Sequence, residues 1–85
     1  MRWSIEWTDQ AVRDLSHLDR PVARRIVAKL EQTTSNPQRF FLQLKGSDDH
    51  KLRVGDWRVI ATLAHATRRI LVQHVDHRSR VYDRG

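Results

Sequence analysis

The chain has 85 residues, no cysteine and a formal net charge of +6. This length predicts one domain with a modest core, and the lack of cysteine excludes disulfides and thiolate metal sites. No apolar run is long enough to cross a bilayer, and the amino terminus lacks the apolar stretch of a signal peptide, so we expect a soluble, cytoplasmic protein.

The positive charge is concentrated in the second half of the chain. Residues 1–38 carry six Lys/Arg and five Asp/Glu, whereas residues 39–85 carry ten and five. A basic half on a small domain is typical of a polyanion binder, because neutralising phosphates releases condensed counterions. An acidic protein partner would satisfy the same field, so charge alone does not choose between RNA and protein.

The amino-terminal segment predicts a strand followed by a helix. Residues 2–7 alternate, with apolar side chains on one face, as in a half-buried strand. Thr8 or Asp9 can cap the helix that follows. Its apolar stripe is predicted to consist of Val12, Leu15 and Leu18.

A second helix is predicted directly after the first, so that the two form a helical hairpin. Asp19 can cap it, and Pro21 stands in its first turn. Its apolar positions follow the spacing i, i+3, i+4, i+7 and are Ala23, Ile26, Val27 and Leu30. The hairpin ends at 35–37, because the residue before a proline is pushed away from helical geometry.

The second half predicts an antiparallel meander. Segments 50–54, 57–64 and 70–76 have strand character, and they are joined by Gly55-Asp56 and by a turn around Ala66-Thr67. Residues 39–44 are ambiguous, and 81–83 form a short strand or lie across the sheet. The predicted fold is a small α+β domain in which a strand and a helical hairpin precede the meander.

The hairpin around Gly55-Asp56 places basic side chains together. Residues two apart in a strand share a face, so Lys51 and Arg53 project together while Leu52 and Val54 point to the core. Arg58 falls on the opposite face from Trp57 and can join them. The alternative is that these are solvated charges on the polar face of an antiparallel sheet.

The order of motifs resembles the RelE branch of the RelE/ParE toxin superfamily over nearly the whole chain. The matching pieces are Leu-x-Gly at 44–46, Lys-Leu-Arg-Val-Gly-Asp-Trp-Arg-Val-Ile at 51–60 and His-Arg-x-x-Val-Tyr at 77–82. The resemblance implies a single RelE-like toxin domain over 1–85. It also implies a ribosome-dependent endoribonuclease that cuts messenger RNA in the A site without a metal or other cofactor. The implied partners are a RelB-like antitoxin, the ribosome and messenger RNA.

In this chemistry the ribose 2′-hydroxyl attacks the adjacent phosphorus, so a catalyst removes one proton, stabilises a phosphorane and protonates the leaving 5′-oxygen. The positions that match the family's functional residues are Lys51, Arg53, Arg58, Arg78 and Tyr82. Lysine is the candidate base, because crowding by other cations favours its neutral form, whereas a guanidinium stays protonated.

The other matched positions receive distinct roles. Arg53 and Arg58 are expected to clamp the scissile phosphate, and Arg78 to face the leaving group. Tyr82 orients the 2′-hydroxyl or stacks on a base, and its alternative role is packing against the sheet. We further assign RNA contacts to the remaining basic positions near the motif, which are Lys45, His77 and Arg80.

One position departs from the family pattern. Asp49 stands where well-studied RelE members carry a second lysine, which weakens the cationic crowding around Lys51. This predicts slower cleavage, no cleavage, or a different base such as His50 or His77. His74 and His77 have a zinc-like spacing, but residues three apart on a strand face opposite sides, so we expect no metal site.

Two other functions use the same fold and charges. A ParE-like toxin inhibits DNA gyrase and needs no catalytic lysine, and Asp49 favours this alternative. A noncatalytic module that binds RNA or a protein through the basic sheet would have an identical sequence pattern.

Overall fold

A computed structural model of the chain describes residues 2–77. The elements in chain order are β1 (Ser4–Trp7), α1 (Asp9–Ser16), α2 (Arg20–Thr33), a 3-10 turn (Pro37–Arg39), β2 (Leu42–Gln43), β3 (Asp49–Val54), β4 (Trp57–Ala64) and β5 (Arg69–His77). The predicted α+β class, the helical hairpin and the three-stranded meander are confirmed. The ambiguous segment 39–44 contains the two-residue strand β2, and the predicted strand at 81–83 lies outside the described residues.

Both helices begin where local chemistry favours a start. The N–H of Ala11 donates to Thr8 Oγ1 at 3.1 Å, so Thr8 is the N-cap of α1. Asp19 is the N-cap of α2, with Pro21 in the first turn, although its side chain makes no capping hydrogen bond. Neither helix within residues 2–77 is long and apolar enough to cross a membrane.

The predicted apolar stripe of α1 is wrong at one position. Val12 is 52% exposed, whereas Ala11 is fully buried. Leu15 and Leu18 pack against the core as predicted. Residues 11, 15 and 18 follow the spacing i, i+4, i+7 of a straight helix face more closely than 12, 15 and 18 do, so the small alanine rather than the valine faces the sheet.

The five strands form one mixed sheet in the order β1-β5-β4-β3-β2. β1 runs parallel to β5, and the remaining neighbours are antiparallel. The helices cover one face, where α1 contacts β5 and β1 and α2 contacts β3. We call this the helix face; its buried cluster is Ala11, Ile26, Leu30, Phe41, Leu52, Val54, Val59, Ala61, Leu63, Ile70, Val72 and Val75.

The β3–β4 hairpin is fixed by its two-residue loop. Val54 pairs with Trp57, which leaves Gly55 and Asp56 between the strands. Gly55 has a φ of 60°, as the first central residue of a type II′ turn requires, and only glycine adopts this geometry without strain. The loop therefore sets the register of every pair in the hairpin.

A β-bulge interrupts β5. Ile60 pairs with His74 and Ala61 pairs with Val72, so Gln73 is an extra residue with no partner on β4. Val72 and Val75 are both buried, three positions apart, which a regular strand would not allow. Because side chains alternate between the two faces of a strand, the extra residue moves every later side chain of β5 to the opposite face of the sheet.

Candidate functional site

The predicted alternation of β3 is confirmed. Leu52 and Val54 are buried in the core, whereas Arg53 is exposed and Lys51 is half-buried on the other side of the strand. Residues two apart on a strand lie about 6.6 Å apart, so the two cationic side chains leave neighbouring positions of one face. We call the sheet face opposite the helices, which carries Lys51, Arg53 and Arg58, the basic face.

The register brings Arg58 to the same face as Lys51 and Arg53, as predicted. Arg58 lies directly opposite Arg53 across the hairpin and opposite Asp76 on β5. Arg58 is only 7% exposed, however, so it is not one of the solvated surface charges of the alternative interpretation. A buried guanidinium is held in a defined position, which suits a group that orients a ligand.

Arg53 and Arg58 place two like charges directly opposite each other in the hairpin. Like charges directly opposite each other in a sheet are destabilising, by roughly 0.2–1 kcal/mol. Asp76 provides one negative charge on the far side of Arg58. A phosphate placed between the two guanidinium groups would remove the repulsion and form charge-assisted hydrogen bonds with both.

Asp49 is part of a hydrogen-bond chain on the basic face. The Thr62 hydroxyl donates to Asp49 Oδ1 at 3.1 Å, and the Gln73 side-chain amide donates to Thr62 Oγ1 at 2.9 Å. These hydrogen bonds give Asp49 a structural role. Asp49 also lies on the same face as Lys51, two positions before it on the strand, so the ammonium has a carboxylate there instead of a second cation.

The two histidines considered as alternative bases lie on the wrong face. His50 pairs with Ala61 and His77 pairs with Trp57, and these partners face the helices. The His77 ring meets the Trp57 ring edge-on, with 5.0 Å between centroids. Without the bulge at Gln73, alternation from Val72 would have placed His77 on the basic face. Neither imidazole therefore shares a face of the sheet with Lys51, and the RNA-binding role of His77 stays a prediction.

His74, by contrast, belongs to the basic face. Ile60 pairs with both Lys51 and His74, so the imidazole stands two strands away from the lysine in the same row. Its Nδ1 lies 3.9 Å from Asp14 Oδ2, and its side chain is 55% exposed. His74 and His77 face opposite sides of the sheet, as predicted. The sequence indicates only a zinc-like spacing for His74, because the bulge that turns its side chain to the basic face has no clear sequence signal.

The remaining predicted residues are not brought into the same cluster by the described structure. Lys45 lies exposed in the turn before β3, at the end of that strand remote from Arg53. Arg78, Arg80 and Tyr82 lie outside the described residues. Two basic residues of α2, Arg25 and Lys29, also lie beside the hairpin. Their position is not predictable from the sequence, because it depends on how the helix packs on the sheet.

Comparisons with known proteins agree with this architecture. A family model described as "ParE toxin of type II toxin-antitoxin system, parDE" matches residues 5–82. No curated protein matches the chain.

Solved structures that resemble the chain come from bacteria and archaea. The RelBE2 toxin–antitoxin complex from Mycobacterium tuberculosis has 21% identity and a TM-score of 0.82, covering 92% of this chain and 100% of that chain. The RelE–RelB complex from Pyrococcus horikoshii OT3 has 24% identity and a TM-score of 0.76, covering 94% and 99%. The isolated E. coli RelE toxin has 19% identity and a TM-score of 0.77, covering 96% and 93%.

At these identities the structural likenesses establish a RelE-like fold, and the family match extends over nearly the whole sequence. The chain therefore belongs to the ParE toxin family of type II toxin–antitoxin systems, within the RelE/ParE superfamily.

Proposed function

We propose that this toxin is a ribosome-dependent endoribonuclease that cleaves messenger RNA in the A site by attack of a ribose 2′-hydroxyl. The observation that carries the proposal is the convergence of Lys51, Arg53 and Arg58 on one face of adjacent strands, with the two arginines directly opposed. Such an arrangement supplies two guanidinium groups and an ammonium that can form charge-assisted hydrogen bonds with one phosphate.

The proposed mechanism uses side chains alone. Lys51 in its neutral form accepts the 2′-hydroxyl proton, and the alkoxide attacks phosphorus to form a pentacoordinate phosphorane. Arg53 and Arg58 donate hydrogen bonds to the non-bridging oxygens as charge builds on them. The bond to the 5′-oxygen then breaks, leaving a 2′,3′-cyclic phosphate and, after protonation, a 5′-hydroxyl.

Residues that do not belong to the basic face complete the proposal. Arg78 faces the leaving 5′-oxygen, Tyr82 orients the 2′-hydroxyl or stacks on a base, and Lys45 and Arg80 contact RNA phosphates. The implied partners are the ribosome, messenger RNA and a RelB-like antitoxin, and the site of action is the cytoplasm. The solved RelBE complexes contain an antitoxin of this class bound to a toxin of the same fold.

The test is to map cuts in messenger RNA after adding the toxin to a translating extract. We expect cuts at A-site codons, dependent on ribosomes, and we expect Arg78→Ala and Tyr82→Ala to fold normally while losing growth arrest. Intact messages during arrested translation would reject the nuclease and favour a noncatalytic binding module. Unchanged growth arrest by both variants would falsify the roles given to Arg78 and Tyr82.

A second candidate is inhibition of DNA gyrase. Two observations favour it: the matching family model is described by its ParE members, and Asp49 is hydrogen-bonded to Thr62 where the RelE pattern has a lysine. Gyrase and supercoiled plasmid incubated with the toxin distinguish the candidates. Accumulation of cleaved plasmid complexes, with messenger RNA intact, would replace the nuclease with the gyrase inhibitor.

A further inference from the structure

A second group of cations lies beside the hairpin, on α2. Arg25 and Lys29 are one helical turn apart, about 6 Å along the axis, and therefore project from the same side of the helix. They line an open groove between α2 and the β3–β4 loop, which we call the α2 groove. Its lining residues are Arg25, Ala28, Lys29, Gln32, Arg53, Val54 and Gly55.

The charged residues that line the α2 groove are all cations. Its lining contains three positive side chains and no carboxylate. None of the three forms an ion pair with an acidic residue within residues 2–77. Because like charges repel, three unpaired cations around one groove are unfavourable for folding unless an anion occupies it.

Two contacts hold these cations in place. A Cβ built on Gly55 would lie 3.1 Å from Arg25 Nη2, so the guanidinium rests over the turn where only glycine gives it room. The Lys29 ammonium lies 5.3 Å from the centroid of the Phe40 ring, and Phe40 is 39% exposed. Basic groups alternating with an exposed aromatic ring are typical of surfaces that track single-stranded RNA.

The α2 groove lies on the helix side of the sheet, and it meets the basic face at the end of the hairpin, where Arg53 belongs to both. Arg53 lines the α2 groove and also stands opposite Arg58 on the basic face. We propose that the α2 groove binds the phosphates of single-stranded RNA flanking the linkage held at the basic face. This inference rests on the proposed function, because it assigns a path to the RNA that the nuclease holds. It adds Arg25 and Lys29 as binding residues.

The experiment measures salt-dependent binding of a fluorescein-labelled 2′-O-methyl oligouridylate, which cannot be cleaved by 2′-hydroxyl attack. Anisotropy titrations at several KCl concentrations give the slope of log K against log [KCl]. Each phosphate contact on a single strand contributes a slope of about −0.7. We expect Arg25→Gln with Lys29→Gln to make the slope less negative by about 1.4, and each single variant by about 0.7.

The matched control is Arg24→Gln, which removes the same charge from the adjacent, exposed position of α2. Arg24 lines a different groove that contains Glu31. We expect the Arg24→Gln variant to have the same slope of log K against log [KCl] as the wild type. Circular dichroism checks that each variant is folded, and Lys29→Gln tests the groove without disturbing the contact of Arg25 with the turn.

Equal slopes for the double variant and the Arg24→Gln control would overturn the inference, as would wild-type binding with no salt dependence. The double variant could also have an unchanged slope for RNA but bind the antitoxin more weakly. This result would overturn the inference and favour an acidic protein as the ligand of the α2 groove. Failure of the nuclease proposal is read separately, from messenger RNA that stays intact on ribosomes although the oligouridylate slopes change as expected.

Discussion

Replacing Arg53 or Arg58 by alanine should lower activity in both cases but should have different effects on stability. Both guanidinium groups are proposed to stabilise the phosphorane, and removing one such donor lowers a cleavage rate by about 10²–10³-fold. Arg53 is exposed and faces another cation, so Arg53→Ala should change the unfolding free energy by no more than about 0.5 kcal/mol. The relief of repulsion makes a small stabilisation the expected sign.

Arg58→Ala removes a side chain that is 7% exposed and stands opposite Asp76. Leaving buried polar partners unsatisfied costs about 1–3 kcal/mol. For a domain of this size each kcal/mol corresponds to a fall in Tm of roughly 4–8 °C. Arg58→Ala should therefore lose both stability and activity, whereas Arg53→Ala should lose activity alone.

The assays are urea denaturation and single-turnover cleavage on programmed ribosomes at a temperature where every variant is folded. Arg69→Ala is the control, because Arg69 Nη1 pairs with Glu6 Oε2 at 2.9 Å on an exposed part of the sheet. It should change stability by about 0–1 kcal/mol and leave cleavage intact. Full cleavage by Arg53→Ala, or equal destabilisation by Arg53→Ala and Arg58→Ala, would refute the reasoning.

Three further substitutions test other features. Asp49→Asn keeps an acceptor for the Thr62 hydroxyl but removes a negative charge from the basic face. RNA affinity should rise about two-fold, because a carboxylate and a phosphate about 8 Å apart in water repel by about 0.5 kcal/mol. Unchanged affinity in anisotropy titrations would contradict this. Gly55→Ala forces a side chain into a φ of 60° and should lower the unfolding free energy by about 1–3 kcal/mol in urea. Asp14→Ala removes the acceptor of the Val75 N–H at 3.0 Å, with an expected loss of about 1–3 kcal/mol; a loss below 0.5 kcal/mol, roughly that of a surface change, would argue against the contact.

The β3–β4 hairpin and the placement of its basic residues could be predicted from the sequence alone. Gly55-Asp56 fixed the loop, the alternation of β3 fixed the faces of Lys51 and Arg53, and together they predicted that Arg58 joins them. These are local relations, set by the turn and by the period of a strand. The parallel pairing of β1 with β5 was not predictable in this way, because nothing near either strand specifies a partner so distant in the chain.

The face of His77 shows where the sequence is insufficient. The bulge at Gln73 adds one residue to β5 and sends His77 to the helix face, although the flanking residues give no signal of it. The burial of Arg58 and the approach of Arg25 to Gly55 also depend on packing between distant segments. Such effects move individual side chains without changing the fold class.

The most direct measurement of the central claim is the chemistry of the ends left on messenger RNA in a translating extract. We predict 2′,3′-cyclic phosphate and 5′-hydroxyl ends at A-site codons with the wild-type toxin, and neither with a folded Lys51→Met variant. Ends bearing a 3′-hydroxyl and a 5′-phosphate, or equal cleavage by the Lys51→Met variant, would contradict it.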